Sequence, residues 1–337
     1  MSNPKHYDQI TNDIYQVQLP LPFPLRIVNC YLLRGDEGWT ILDTGVNIRP
    51  ALQIWLDTFA ALGIKASHIR QIVLTHYHPD HFGLSGWLQN WATSTGSGYV
   101  PPVLMSPRDL ETARLVWWRD NNRPISSWAA FWQACGVPAE GLDSFVFDIG
   151  STRKLTLPLP SLVETIQSGS RLRMGARDFH ILHAPGHTDG QVIFYDPNDR
   201  LLLSGDHVLM KITPNIGLWP LTEPNPLGRY LTSLREFRTL DVRIALPGHR
   251  SLITNWRERL DELLAHHDVR LNKMLAAINK GHNTPYEVTQ QVFDFNKFTS
   301  HEMRFAITET LAHLELLRDE GHVKRSEDGI WRYYTIK

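Results

Sequence analysis

Four potential metal ligands lie close together at the end of an apolar segment. The segment QIVLT runs directly into HYHPDH at residues 76–81, and a short continuous apolar run is typical of a buried strand. Residues i and i+2 of an extended chain face the same way, so His76 and His78 could contact one cation. If the chain then turns into a helix, Asp80 and His81 would point toward a second, adjacent cation. The pattern therefore favours a buried sheet with a polar edge.

Three later segments carry the same kinds of side chain at the ends of strands. His187 stands in HAPGHTDG, Asp206 in LLLSGDH and His249 in ALPGHR, each at or just beyond the end of an apolar run. Each follows a glycine, which lets the backbone turn tightly at that point. The repetition suggests that these side chains meet the first group at one shared edge of a sheet.

Short strands and helices alternate before the C-terminal part of the chain. DIYQVQL, RIVNCYLLRG and GWTILDTG have the apolar patterns of successive strands, and the prolines of LPLPFPL predict a loop between the first two. RPALQIWLDTFAALG has helical spacing, and further strands recur later with a helix near residues 229–239. This order predicts a mixed α/β fold with buried sheets.

The C-terminal part has a pattern of its own. A long helix is predicted from Trp256 to Lys280, and Thr284 begins a capping box that starts another. A further helix is predicted near Met303 to Glu320, followed by a hairpin around the turn SEDG. Helices followed by a hairpin resemble a winged-helix module. We therefore expect a larger domain over residues 1–255 and a small helical, winged-helix-like domain over residues 256–337.

Composition narrows the classes of partner. Lys and Arg number 34 against 35 Asp and Glu, a net charge of −1, so no long-range attraction to nucleic acid or anionic lipid is expected. Cys30 and Cys135 are the two cysteines, too few for a thiolate metal cluster or a disulfide framework. The polar N-terminal segment and the lack of a long apolar run predict a cytoplasmic protein without a membrane span.

The motifs together resemble those of the metallo-β-lactamase superfamily, over about residues 10–255. The resemblance implies a four-layer αββα sandwich, which forms the catalytic domain, with two metal ions at one edge. It also implies which residues hold each ion and which carboxylate bridges them. The first set is His76, His78 and His187, the second is Asp80, His81 and His249, and the bridge is Asp206. Asp43, in ILDTG, is expected to support the ligands without binding metal.

The resemblance implies a hydrolase, and the chemistry of the residues agrees with it. Two divalent cations about 3.5 to 4 Å apart share a water, lower its pKa and polarise the scissile group. The expected nucleophile is a metal-bridging hydroxide, with Asp80 and Asp206 as the catalytic carboxylates. Imidazole and carboxylate suit zinc, which is the default, but manganese and iron accept the same ligands.

Further residues are expected around the metals. His183 and His207 flank ligand motifs and are candidates to hydrogen-bond the ligands, although histidines at strand ends are often only packed. Tryptophans crowd the segment 87–132, which forms either an apolar lid over the metals or packing against the sheet. The candidate substrate-pocket residues are Phe23, Trp117, Trp118 and Trp219, with Arg119 and Arg123 as nearby cations.

Three functions stay open at this stage. The first is hydrolysis of a small, apolar carboxyl ester, thioester or lactone. The second is a phosphodiesterase or endoribonuclease of the same superfamily, because the tail resembles that of a branch that contains an endoribonuclease. The third is a non-enzymatic, metal-responsive winged-helix regulator.

The charge of the tail bears on these alternatives. From Arg270 to Lys337, ten Lys and Arg stand against nine Asp and Glu, and this balance disfavours binding to phosphate backbones. We therefore expect a small-molecule substrate and no DNA partner, and we expect the tail from about Trp256 to serve packing, dimerisation as a homodimer, or coverage of the active-site mouth. The motifs leave the acyl group and the leaving group open.

Overall fold

Two β-sheets form the centre of the fold. The computed structural model describes residues 6–94, 98–118, 125–142, 145, 152–294 and 297–336, and the predicted cations Arg119 and Arg123 lie outside these ranges. Within them the first sheet contains, in spatial order, β1 (Tyr7–Gln9), β2 (Ile14–Pro20), β3 (Ile27–Gly35), β4 (Gly38–Leu42), β5 (Ile69–Val73), β6 (Val103–Met105) and β7 (Val163–Thr165). The second contains β12 (Ile244–Pro247), β11 (Leu201–Gly205), β10 (Val192–Asp196), β9 (Arg177–His183) and β8 (Arg171–Met174).

Both sheets mix parallel and antiparallel pairs. In the first sheet β1 to β4 pair antiparallel, whereas β4 to β7 pair parallel. In the second sheet β11 and β12 pair parallel and the remaining pairs are antiparallel. β4 runs parallel to β5, and β11 runs parallel to β12. The loops that follow these strands carry Asp43 and candidate ligands, and within each sheet they therefore lie at the same edge.

The two faces of the first sheet bury different partners. Successive side chains of a strand point to opposite faces, and on β3 Tyr31 and Leu33 pack into a core shared with the second sheet, where Phe194 lies. Cys30 and Leu32 pack on the outer face with side chains of helices. The helices described on that face are α1 (Arg49–Leu62), α2 (Pro79–Phe82), α3 (Ser85–Thr93) and α4 (Pro107–Ala113).

Helices also cover the outer face of the second sheet. Ile193 and Leu202 pack there with Tyr230 and Leu260, which belong to α6 (Pro226–Phe237) and α7 (Trp256–Asn279). A further helix, α5 (Ile125–Ala134), lies in the chain between β6 and β7 and packs against the tail. The helix, sheet, sheet, helix order confirms the predicted mixed α/β sandwich.

The tail consists of helices and a hairpin. It contains α8 (Pro285–Val292), α9 (Ser300–Asp319), β13 (Val323–Glu327) and β14 (Trp331–Thr335), and the two strands pair antiparallel. The predicted capping box is present, because Thr284 Oγ1 accepts from Glu287 N and the Glu287 side chain accepts from Thr284 N. Helix α9 starts earlier than predicted, since Thr299 makes a second capping box. Within the described residues, no helix combines the length and the apolar character needed to cross a lipid bilayer.

Candidate metal centre

The first group of candidate ligands is made of three histidines from two loops. His76 follows the end of β5, and His78 is the residue immediately before α2. His187 lies in the loop between β9 and β10. One ring nitrogen from each of the three lies within 4.8 Å of the others, and His78 Nδ1 is 2.9 Å from His187 Nε2. The loops of both sheets therefore bring the three rings to one point.

The second group lies beside the first. Asp80 and His81 are in the short helix α2, and His249 follows the end of β12. His249 Nε2 is 3.2 Å from Asp80 Oδ2, and His81 Nε2 is 3.9 Å from the same oxygen. The predicted turn into a helix after the strand therefore brings Asp80 and His81 toward His249.

Asp206 lies between the two groups. Its Oδ1 is 3.4 Å from His81 Nε2, and its Oδ2 is 3.3 Å from His249 Nε2. The same Oδ2 is 3.6 Å from His187 Nε2, which belongs to the first group. The structure therefore brings all seven predicted ligands together, with Asp206 facing both groups.

The buried polar atoms at the centre fit a metal site. His76 Nε2, His81 Nε2, His249 Nε2 and Asp206 Oδ1 are buried, and none has a hydrogen-bond partner of good geometry within the described residues. Buried polar groups are normally satisfied, because leaving one without a partner costs about 1–3 kcal/mol. Imidazole nitrogens and a carboxylate oxygen aimed at a common centre are a donor set that zinc, manganese or iron accepts.

Backbone oxygens fix two of the rings. His249 Nδ1 donates to Ile27 O at 2.7 Å, and His187 Nδ1 donates to Asn215 O at 2.9 Å. A donated Nδ1–H leaves the Nε2 lone pair free to bind a cation and sets the orientation of the ring. Both rings are therefore preorganised for coordination through Nε2.

Asp43 binds both ends of the segment 75–81, which carries four of the candidate ligands. Its carboxylate accepts from Thr75 N at 2.8 Å, from Thr75 Oγ1 at 2.9 Å and from His81 Nδ1 at 2.8 Å. Asp43 has a left-handed backbone, with φ of 57°, a conformation that aspartate tolerates better than most residues. This is the supporting position that the sequence predicts for Asp43.

The other two candidate supporting histidines contact different groups. His183 is exposed, and its Nε2 lies 2.8 Å from Asp189 O. His207 is buried, and its Nε2 lies 3.0 Å from Ser233 Oγ of α6, against the ring of Tyr230. Within the described residues, these bonds do not reach the seven ligands.

The predicted pocket residues are placed in two ways. Trp117 is buried in the core of the first sheet and donates its indole N–H to Tyr77 O at 3.0 Å, and Trp118 packs against Phe82. Both therefore serve packing, the alternative interpretation of the tryptophan segment. Phe23 and Trp219 lie in loops and are partly buried.

The tail reaches these loops through α9. Phe23 stacks on His301 with centroids 6.1 Å apart, and Trp219 packs edge to face on Phe305 at 5.3 Å. Asn215, whose carbonyl orients His187, donates its side-chain amide to Glu309 at 3.2 Å. Helix α9 is therefore a wall next to the site, and coverage of the active-site mouth is one of the three roles expected of the tail.

Asp109 is a further buried carboxylate near the ligands, and the sequence patterns did not indicate it. Its oxygens accept from Tyr77 N, Thr188 Oγ1 and Gly190 N at 3.1, 2.8 and 2.8 Å. Burial raises the pKa of Asp109 to about 7, and the three hydrogen bonds counteract burial. In the sequence SPRD, Ser106 and Asp109 have the spacing of a helix cap, and Ser106 does cap α4. The sequence pattern therefore predicts a helix cap at this position but not the contacts of Asp109 with Tyr77, Thr188 and Gly190.

The two groups differ in charge. Burial lowers the pKa of His78 to about 3 and also lowers those of His76 and His187. Burial acts the same way on His81 and His249, but carboxylates led by Asp206 raise the pKa of His249 to about 10 and that of His81 well above its ordinary value. The first group is therefore neutral at pH 7 and the second is cationic.

The carboxylates respond in the opposite sense. Burial favours the neutral acid, yet His81 and His249 lower the pKa of Asp80 to about 2. The same two histidines hold the pKa of Asp206 well below its ordinary value. Both carboxylates therefore stay ionised at pH 7 and can bind cations without losing a proton.

Comparison with known proteins identifies the family. The model of the metallo-β-lactamase superfamily matches residues 23–249. The chain belongs to this superfamily. The model of the metallo-β-lactamase-like C-terminal domain matches residues 271–336, so the helical tail also has relatives within the superfamily.

Individual relatives extend over the whole chain. The probable metallo-hydrolase YqjP of Bacillus subtilis (strain 168) is 26% identical over 342 residues, which cover 97% of this chain and 99% of that protein. The crystal structure of a metallo-β-lactamase family protein from Thermus thermophilus has a TM-score of 0.82 and 32% identity, covering 97% of this chain and 100% of that one. The acyl-coenzyme A thioesterase MBLAC2 of Bos taurus is 25% identical over 186 residues, 53% of this chain and 58% of that protein. The predicted superfamily and the predicted hydrolase are confirmed.

Among the histidines, metal binding should release protons from the second group only. Without metal, His81 and His249 carry protons at pH 7.5 because their pKa values are raised, whereas the histidines of the first group are already neutral. Filling both sites should therefore release about two protons per chain from these imidazoles, since ligating imidazoles must be neutral, and deprotonation of a water shared by the two cations adds up to one more. Calorimetric titration of the metal-free protein with Zn²⁺, in buffers of different ionisation enthalpy, measures this number. Release near zero would contradict the charge assignment, and His249→Ala should lower the number by about one.

Substitution of the shared carboxylate should affect both groups. Asp206→Asn keeps the shape of the side chain but removes the charge that faces His81, His249 and His187. We expect this variant to lose both metal ions on dialysis, whereas Asp80→Asn should lose only the second. Elemental analysis of the dialysed proteins counts the ions, and one tightly held ion in the Asp206 variant would show that Asp206 does not bridge.

Proposed function

We propose that this metallo-hydrolase holds two divalent metal ions and cleaves a small, apolar carboxyl ester, thioester or lactone. The observation that carries the proposal is the pair of ligand groups on either side of Asp206, because within each group the ligand atoms lie within 4.8 Å of one another. Zinc is the default metal, because imidazole and carboxylate suit it, and manganese or iron could occupy the same ligands.

The chain's own residues have separate roles in this proposal. Two cations held here would supply a water of lowered pKa and polarise the scissile carbonyl. His187 and His249 keep their Nε2 atoms directed inward through Nδ1–H bonds to backbone oxygens. Asp80 is 14% exposed, so it can both face the cations and exchange a proton with solvent.

Aromatic walls support an apolar substrate. Phe23 and Trp219 come from loops next to the site, and each packs on a residue of α9. Trp219 also packs against Trp128 and Trp132 of α5. Burial of an aliphatic group against such rings contributes about 25 cal/mol per Å². A substrate with a phosphate at the reacting centre would instead need arginine or lysine side chains beside the metals to spread its charge.

The name of one relative favours the thioester among these substrates. The bovine relative is named an acyl-coenzyme A thioesterase, and its similarity covers 53% of this chain. Thioesters and esters present the same carbonyl to the nucleophile, so one site can act on both. We therefore place the thioester first and the ester and lactone after it.

A hydrolysis panel tests the proposal. One zinc preparation of the protein is assayed with p-nitrophenyl acetate, butyrate and octanoate, butyryl-coenzyme A, a lactone and bis-p-nitrophenyl phosphate. We expect kcat/KM for the carboxyl substrates to exceed that for the phosphodiester. We also expect kcat/KM to rise with chain length, by up to about fourfold per methylene, which corresponds to roughly 0.8 kcal/mol.

Matched variants locate the effect. Trp219→Ala should flatten the dependence on chain length, because it removes one wall next to the site. Trp91→Ala is the control, because Trp91 stacks on Phe59 between α1 and α3 and should leave the dependence intact. Faster cleavage of the phosphodiester, with no effect of chain length on the esters, would overturn the proposal in favour of a phosphodiesterase.

A further inference from the structure

We propose that Asp109 is a positioning residue for the first metal, one that ties together the two loops that carry all three of its histidines. The proposal rests on the dinuclear site described above, and it concerns a residue outside the seven ligands. Asp109 lies in α4 on the outer side of the first sheet and is 1% exposed. Its function follows from where its three hydrogen bonds end.

One bond reaches the loop of His76 and His78. Asp109 Oδ2 accepts from the backbone N–H of Tyr77, the residue between these two histidines, at 3.1 Å. The carbonyl of the same residue accepts from Trp117 Nε1 at 3.0 Å. The Tyr77 backbone is therefore held at both its N–H and its carbonyl. These two bonds fix the backbone that carries His76 and His78 on either side.

The other two bonds reach the loop of His187. Asp109 Oδ2 accepts from Thr188 Oγ1 and Oδ1 accepts from Gly190 N, both at 2.8 Å. A Cβ added at Gly190 would lie 2.7 Å from Asp109 Oδ1 and 2.6 Å from Asp109 N. Contacts this short exclude a side chain at position 190, so the loop can approach the carboxylate closely only with glycine there.

The chemistry of the three partners requires a carboxylate. Tyr77 N, Thr188 Oγ1 and Gly190 N all donate, so the side chain at position 109 must supply acceptors on both of its terminal atoms. Asparagine has the same shape but presents an amide NH₂ in place of one oxygen. Whichever way the amide turns, its NH₂ meets a backbone N–H, that of Tyr77 or that of Gly190, and that hydrogen bond is lost.

Asp109 and Asp43 support different parts of the site. Asp43 accepts from Thr75, next to His76, and from His81 Nδ1, so it supports ligands of both groups, whereas Asp109 contacts the loops of the first group. Losses of such supporting hydrogen bonds typically weaken metal binding about 10–100-fold. We therefore expect substitution of Asp109 to affect the first site and substitution of Asp43 to affect both.

Metal affinity in single-site backgrounds tests this. His249→Ala leaves the first group intact, and His187→Ala leaves the second. Zinc affinity is measured by competition with a chromophoric chelator in each background, with and without Asp109→Asn. We expect Asp109→Asn to weaken zinc binding at least about tenfold in the His249→Ala background and less than about twofold in the His187→Ala background. Asp43→Asn should weaken zinc binding in both backgrounds, because Asp43 binds Thr75 as well as His81.

Two further variants separate positioning from general loss of structure. Asp196→Asn removes another buried carboxylate, which pairs with Arg177 at 2.9 Å at the far end of β10, and it should leave the zinc affinity of both backgrounds unchanged. Thr188→Val removes one of the three donors at nearly constant volume, and it should weaken the first site alone even if Asp109→Asn does not fold.

The outcomes distinguish the inference from the proposed function. If the unsubstituted protein binds two zinc ions but Asp109→Asn and Thr188→Val leave the first site at its original affinity, the positioning role is wrong and the proposed function stands. Equal weakening of both sites would also overturn the positioning role, because it would show a general effect on the fold. If the unsubstituted protein does not bind two ions, the proposed function fails first.

Discussion

The hydrogen bonds accepted by Asp43 are the constraint on which the rest of the site depends. Thr75 begins the ligand segment and His81 ends it, and the one buried carboxylate binds both. The short chain between them must therefore leave β5, present His76 and His78, and enter α2 within a fixed span. The left-handed backbone of Asp43 is a local cost that lets β4 deliver its side chain under that segment.

Burial and charge then divide the site into unlike halves. Isolated buried charges are strongly unfavourable, and the fold meets this by keeping the first three histidines neutral and by pairing Asp80 and Asp206 with His81 and His249. A dication can enter the first group without displacing a proton, whereas the second group must exchange protons for metal. Asp206 couples the halves because its oxygens face both.

Local sequence patterns predicted the parts of the site that are local. Strand ends and tight turns are visible in the sequence. They predicted the ligands in residues 76–81 and the three that follow glycines, His187, Asp206 and His249. The alternation of strands and helices predicted the mixed α/β fold. The contacts of Asp109 with Tyr77 and Thr188 join residues 32 and 79 positions apart, and no periodicity records such a distance. Coverage of the active-site mouth was one of three roles expected of the tail, but helical spacing shows only that a face of α9 is buried and not which loop it contacts.

The central claim is that seven residues hold two cations around one shared carboxylate, and anomalous X-ray diffraction from crystals of the zinc-reconstituted protein tests it most directly. The account predicts two anomalous peaks about 3.5 to 4 Å apart, one bounded by His76, His78 and His187, the other by Asp80, His81 and His249, with Asp206 between them. A single peak under excess zinc, or a second peak away from Asp206, would contradict it.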